Sequence, residues 1–170
     1  MTVRERARPW PSLAKRACFA LALTMATSMT PARAAAQVSR VRDLSFGTVI
    51  TGTTTSIAVT SSGAAMWQIH VSLLSTLGSF TLSLPTTLTR NGGGGSMPLT
   101  FCSTCARYRV NNSSVSGATT FNPSTTVTFS LLGLGSDVYV WLGGAVNPPL
   151  NQPGGTYSGT MVITTTGLII

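Results

Sequence analysis

Two cysteines, spaced as Cys-x-x-Cys, have the most distinctive chemistry of this chain. Cys102 and Cys105 lie between two strand-like runs at 97–101 and 106–110. A thioredoxin-like redox pair would begin a helix, which lowers the pKa of the thiol, and a zinc site would need further ligands. A tight disulfide at the end of a strand suits this setting better in an oxidising compartment. Redox-active thiols and a metal site stay open as alternatives.

Acid–base catalysis has few candidate residues. His70 is the only histidine, and Asp43 and Asp137 are the only carboxylate side chains after residue 36. His70 shares the polar face of a predicted strand with Gln68 and Ser72, which indicates a solvent-facing residue. The two aspartates have no spacing typical of a paired-carboxylate site, and no Gly-x-Ser-x-Gly segment is present. We therefore expect no catalytic residue, no cofactor and no bound metal, and a protein that is not an enzyme.

The first 36 residues have the pattern of a secretory signal peptide. A basic start that includes Arg4 and Arg16 precedes a short apolar run at 17–26 and the sequence Ala34-Ala35-Ala36. The apolar run is shorter than the roughly 20 residues that a membrane span needs. The sequence predicts cleavage after Ala36 and export to the periplasm, the cell surface or the extracellular space. We expect no integral membrane segment in the mature chain.

The predicted signal peptide also accounts for most of the basic charge. The whole chain has a formal net charge of +8 at pH 7, whereas residues 37–170 keep five arginines against two aspartates, a net of +3. These five arginines are scattered along the sequence and do not form the basic stripe that binds phosphates. We therefore expect no nucleic-acid partner.

Short alternating runs, separated by turn residues, dominate residues 37–170. Trp67, Ile69 and Val71 alternate with polar residues, and the run 138–142 is apolar on both faces, which predicts a central strand. Residues 157–165 are predicted as one long final strand. No stretch keeps helical periodicity over two turns. The sequence therefore predicts an all-β domain, either a sandwich or a barrel.

Three segments resemble a family of uncharacterised secreted bacterial domains. They are the opening segment Leu44-Ser45-Phe46-Gly47-Thr48-Val49, the Gly-Gly pair at 143–144, and the closing segment 151–164 (Asn-Gln-Pro-Gly-Gly-Thr-Tyr-Ser-Gly-Thr-Met-Val-Ile-Thr). The family is similar to spore coat protein U and to pilin subunits of the chaperone–usher type. The residues that carry the resemblance are Phe46, Gly47, Gly143, Gly144, Pro153, Gly155, Thr156, Tyr157 and Gly159.

The resemblance implies an immunoglobulin-like antiparallel β-sandwich over residues 44–170, either complete or one strand short. A short N-terminal extension at 37–43 precedes it. In pilins of this type the N-terminal extension of a neighbouring subunit fills the missing strand, which is β-strand addition. The implied function is that of a non-enzymatic pilin-like or coat-like subunit at the cell surface, as in a fimbria. Its partners would be further copies or related subunits, with a periplasmic chaperone and an usher.

Two other hypotheses belong to different classes. A self-complete secreted β-sandwich would act as a binding module or adhesin, through loops such as 90–96 and 111–124. A thiol redox protein would use Cys102 and Cys105 for catalysis.

Overall fold

Alternation of apolar and polar side chains organises this chain into short β-strands. The computed structural model describes residues 37–71, 78–130 and 135–166, all of which belong to one compact unit, residues 33–170. The predicted signal peptide, residues 1–36, lies outside the described residues. The strands are β1 (Gln37–Arg42), β2 (Thr55–Ile57), β3 (Ala65–Val71), β4 (Gly78–Ser83), β5 (Thr87–Arg90), β6 (Ser96–Thr100), β7 (Ala106–Val110), β8 (Thr119–Phe121), β9 (Val127–Phe129), β10 (Ser136–Leu142), β11 (Gly144–Val146), β12 (Tyr157–Ser158) and β13 (Val162–Thr166). The described ranges contain no helix, so the predicted all-β class is confirmed.

The strands form three antiparallel sheets. The first sheet has the order β1-β3-β10-β7-β8, the second sheet β12-β5-β6-β11-β2, and the small sheet β13-β4-β9. Strand β10 lies at the centre of the first sheet, which confirms the prediction made from its apolar run. Its residues Val138, Val140 and Leu142 have no exposed surface, and Trp141 on the opposite face is 2% exposed.

The main core lies between the first sheet and the small sheet. Trp67, Ile69 and Val71 of β3 point into it, as their alternation predicts, and all three are buried. Phe80 of β4 faces them from the small sheet and is fully buried. Its ring centroid lies 5.5–6.1 Å from those of three other aromatic residues, Tyr108, Phe121 and Phe129. Aromatic pairs at these separations stabilise a core beyond the area that they bury.

A smaller apolar cluster covers the second sheet. Met97 and Leu99 of β6 and Val146 of β11 are its buried members. Phe46 and Val49 pack against it from a segment that forms no strand. This segment therefore serves as part of the cover of the second sheet.

The N-terminal extension predicted at 37–43 contains a strand. Residues 37–42 form β1, which pairs with β3. Residues 44–49 form no strand, because Gly47 has a φ of 62° and Thr48 lies in a bend. Leu44 packs against the main core, whereas Phe46 and Val49 pack against the second cluster. Because the segment contacts two clusters, it does not form a regular ladder with either sheet.

The single final strand predicted at 157–165 is wrong. Tyr157–Ser158 pairs with β5 in the second sheet, whereas Val162–Thr166 pairs with β4 in the small sheet. Gly159 lies in the break, where a Cβ atom would come within 2.9 Å of Leu88 Cδ2. The absence of a side chain lets the chain pass close to β5 as it moves from one sheet to the other.

Phe80 provides a test of the main core. Phe80→Ala should lower the free energy of unfolding by about 3–5 kcal/mol, because it opens a cavity among three aromatic rings. Leu150→Ala is the control: Leu150 is 85% exposed, and surface changes usually stay within about 0.5 kcal/mol. Urea denaturation followed by tryptophan fluorescence measures both. Equal, small losses in the two variants would contradict this arrangement of the core.

Candidate functional site

The opening and closing segments of the sequence meet in space and line one groove. The groove has a volume of about 780 Å³ and lies between residues 43–49 and residues 152–161, with Leu88, Met97 and Leu99 at its apolar side. Of the residues that carry the family resemblance, the groove is lined by Phe46, Gly47, Pro153, Gly155, Thr156, Tyr157 and Gly159. Gly143 and Gly144 are not among them. Sequence reasoning named both segments but gave no signal that they are neighbours.

Tyr157 and Arg90 fix the closing segment to the turn between β5 and β6. The Tyr157 hydroxyl donates to the Pro153 carbonyl oxygen at 2.6 Å and accepts a hydrogen bond from the Gln152 amide. Arg90 Nε donates to the Gly154 carbonyl at 2.8 Å, and Arg90 Nη1 reaches Gly93 in the glycine loop. These hydrogen bonds build a corner, and they leave one wall of the groove rigid.

Gly155 has a conformation that needs glycine. Its φ of 146° lies outside the range that L-residues readily adopt, and a Cβ atom there would lie 2.7 Å from Arg90 Nε. The side chain of Arg90 therefore passes directly over this residue. This explains the glycine in the closing segment as a matter of backbone shape rather than chemistry.

The Gly143-Gly144 pair marks the passage of the chain from the first sheet to the second. A Cβ atom on Gly143 would lie 2.9 Å from Val59 N and 3.1 Å from Ala58 C, both backbone atoms. Gly144 lies against the ring of Phe101 and the side chain of Leu44. The backbone N–H of Gly143 donates to the Cys105 carbonyl at 2.8 Å. Two segments that change sheets are thus hydrogen-bonded to each other.

Cys102 and Cys105 form a disulfide bond, with their Cα atoms 5.1 Å apart. The bond closes the turn between β6 and β7, which lies at the end of a strand and contains no helix. The described residues contain no group of three or more histidine, cysteine or acidic side chains placed to hold a metal ion. The chain entropy of so short a loop corresponds to a stabilisation of about 2 kcal/mol. The disulfide supports the structural interpretation of this motif.

His70 and Asp137 form a hydrogen-bonded pair that the sequence did not suggest. They face each other across strands β3 and β10, and His70 Nδ1 donates to Asp137 Oδ1 at 2.7 Å. The Tyr139 hydroxyl donates to the other carboxylate oxygen at 3.4 Å. The predicted exposure of His70 agrees with a side chain that is 44% exposed. The strand register brings these residues together, and register is not visible in a single sequence.

The environment of Asp137 stabilises its charge. Burial alone would raise the pKa of its carboxyl group, but hydrogen bonds from His70, Gln68 and Tyr139 and the charge of His70 outweigh this, and the net pKa is lowered. Asp43, the other acid, instead pairs with Arg40 at 3.0 Å on the surface. The two aspartates therefore have separate partners and do not form a paired-carboxylate site.

Comparison with known proteins found no match among protein-family models, curated proteins or solved structures. Among the described residues, no helix is long and apolar enough to span a membrane.

Gly143 offers a test of the sheet crossing. Gly143→Ala should destabilise the protein by several kcal/mol, because the new methyl group meets backbone atoms that cannot move independently. Gly154→Ala is the matched control, since a Cβ atom there has no neighbour within 4 Å. Thermal unfolding followed by circular dichroism compares them. If both variants unfold at the wild-type temperature, Gly143 does not lie at a close backbone approach.

The His70–Asp137 pair predicts a pH dependence of stability. A carboxyl group with a lowered pKa in the folded state stabilises the protein above its unfolded pKa of about 3.9, and this contribution is lost as the pH falls through the folded value. Wild-type stability should therefore fall more steeply than that of Asp137→Asn between about pH 5 and pH 2. Asp43→Asn should keep the wild-type profile, because its exposed ion pair contributes little. Melting curves across this range, parallel for wild type and Asp137→Asn, would refute the prediction.

Proposed function

We propose that this protein is a non-enzymatic, exported structural or surface protein, a pilin-like or coat-like subunit that assembles by β-strand addition. The observation that carries the proposal is the character of β1. It pairs with β3 along its length, yet each of its six residues is exposed. Its attachment therefore depends on backbone hydrogen bonds rather than on burial of its own side chains, and such a ladder can form equally well with β3 of another copy.

The residues after β1 supply the apolar contacts that β1 lacks. We call residues 37–49 the N-terminal arm. Leu44, Phe46 and Val49 are partly buried and pack on the two apolar clusters. The arm therefore combines an exchangeable strand with three apolar anchors, which also line one side of the groove.

The corner at Tyr157 supports an immunoglobulin-like sandwich as the finer description of the fold. In immunoglobulin domains a tyrosine near the start of a strand hydrogen-bonds back to the backbone a few residues upstream. Tyr157 begins β12 and donates to the Pro153 carbonyl, four residues earlier. The first sheet and the small sheet enclose a common core, as the two layers of a sandwich do.

The same arm favours the second candidate, a self-complete binding module or adhesin. Here the arm lies on its own chain, where β1 covers the β3 edge and the anchors fill their own clusters. The two candidates predict different oligomeric states when the arm is supplied from outside.

Export is part of the first proposal, as are a periplasmic chaperone and an usher as assembly partners.

A peptide-complementation experiment tests whether the arm completes the fold, which both candidates require. A chain that lacks residues 37–49 should be unstable, and a synthetic peptide of residues 37–49 should restore a soluble, folded complex. The Phe46→Ser peptide should bind about tenfold more weakly or worse, because a buried apolar side chain contributes roughly 1.5–3 kcal/mol. The Val41→Ser peptide is the control, since Val41 is 52% exposed.

The oligomeric state of the full-length protein completes the test. Size-exclusion chromatography with light scattering should detect concentration-dependent oligomers, and an excess of the 37–49 peptide should dissociate them. A monomer at all concentrations, together with an arm-deleted chain that folds without the peptide, would reject strand addition. Rescue by the peptide with a strictly monomeric full-length protein would favour the self-complete module.

A further inference from the structure

The outer face of the first sheet, which points away from the core, collects charged and aromatic side chains from a chain that has few of either. We define this outer face by six residues: His70 of β3, Asp137, Tyr139 and Trp141 of β10, and Arg107 and Arg109 of β7. The five arginines after residue 36 are scattered along the sequence, but the strand register places three of them on this face. Arg42 joins the same face, because it pairs with Met66 next to Trp141.

Among the residues that the structure describes, the arginines of this face have no acidic partner. Arg109 donates to the carbonyl oxygens of Ser114 and Ser116, and Arg42 donates to that of Ala64. Arg107 makes no hydrogen bond or ion pair with a described residue, and its Nε is buried without an acceptor. Asp137, the acid on this face, is occupied by His70. With three arginines against one aspartate, the described residues of this face therefore carry a net positive charge.

Tyr139 and Trp141 place aromatic surface among these cations. Their rings are stacked, with centroids 6.2 Å apart and an interplanar angle of 28°. Trp141 is 2% exposed and so supports Tyr139, which stays partly exposed. In the strand register Tyr139 lies between Gln68 and Arg109. A partly exposed aromatic ring with amide-bearing and guanidinium-bearing residues on the neighbouring strands offers contacts to a sugar ring, its hydroxyl groups and its acid groups.

We propose that the outer face of the first sheet binds an acidic polysaccharide, one that carries carboxylate or sulfate groups. Arg107 and Arg109 lie two residues apart on one strand, about 6.6 Å along the sheet, so they can meet successive acid groups of an extended chain. Arg42 and Arg107 are separated by three strand spacings, about 14 Å, which widens the positive surface. Single-stranded nucleic acid is bound by several aromatic side chains on which successive bases stack, whereas the outer face offers one partly exposed ring, Tyr139, because Trp141 is closed to solvent. This proposal goes beyond assembly and does not depend on it.

Calorimetric or interferometric titration of the purified protein tests the proposal with defined probes. Polygalacturonic acid and dextran sulfate are the acidic polysaccharides, and neutral dextran and a twenty-residue oligothymidylate are the comparisons. We expect binding to at least one acidic polysaccharide, weakened by salt, with no binding to neutral dextran. Arg107→Gln should reduce the affinity about tenfold, because it removes a guanidinium that has no structural partner.

Arg40→Gln is the matched control for charge. It removes the same charge from a side chain that pairs with exposed Asp43 and lies opposite Trp67, on the other side of the sheet, so the affinity should change less than twofold. Arg107→Lys keeps the charge, so its affinity for the acidic polysaccharide should lie between those of the wild type and Arg107→Gln. This variant provides a second measurement if Arg107→Gln folds poorly. The proposal is overturned by absence of binding to both acidic polysaccharides, by an equal loss in Arg40→Gln, or by oligothymidylate binding that is as tight.

Discussion

The described fold depends on the close approach of backbone segments where strands leave the first sheet for the second. At Gly143 the chain ends β10 and starts β11, with room for no side chain, and its N–H bonds to the Cys105 carbonyl. The disulfide turn joins the same corner from β7 and β6. Because strands of one sheet continue into the other at this corner, the main core and the second cluster are covalently and geometrically linked. Displacement of one crossing would therefore affect the packing of both clusters.

The N-terminal arm begins with a strand that pairs with the edge of β3. An unpaired edge strand in a protein with few charges invites association with other chains. In this chain β1 covers the edge of β3. All six residues of β1 are exposed, and its pairing with β3 is irregular between Arg40 and Arg42. The apolar anchors come later, at Leu44, Phe46 and Val49. Hydrogen bonding and apolar burial are thus carried by different parts of one segment, an arrangement that suits a strand able to change its partner.

Local sequence signals predict several of the strands but not which strands pair with one another. Alternation identified the buried face of β3, and an apolar run identified β10 as central, because both features follow from how one strand meets its surroundings. The break at Gly159 was missed because a glycine in a strand pattern does not reveal which neighbour approaches it. The groove, the His70–Asp137 pair and the gathering of arginines depend on register between strands distant in sequence. Tyr157 and Gly155 carry the family resemblance in the sequence, but the hydrogen bond of Tyr157 to Pro153 and the contact of Gly155 with Arg90 become visible only in the structure.

The first sheet offers different chemical groups on its edge and on its outer face. The two proposed interactions, strand addition and polysaccharide binding, therefore do not compete for the same residues. Strand addition at the β3 edge uses backbone groups of β1 and β3, whereas the acidic polysaccharide would contact Arg107, Arg109 and Tyr139 on strands β7 and β10. An assembly joined through the arm would then present one such face per subunit. Repeated weak sites on a common support bind a polymeric ligand with far greater avidity than one site does, because the second contact is intramolecular. Modest affinity of a single outer face is therefore compatible with firm attachment of an assembled surface layer.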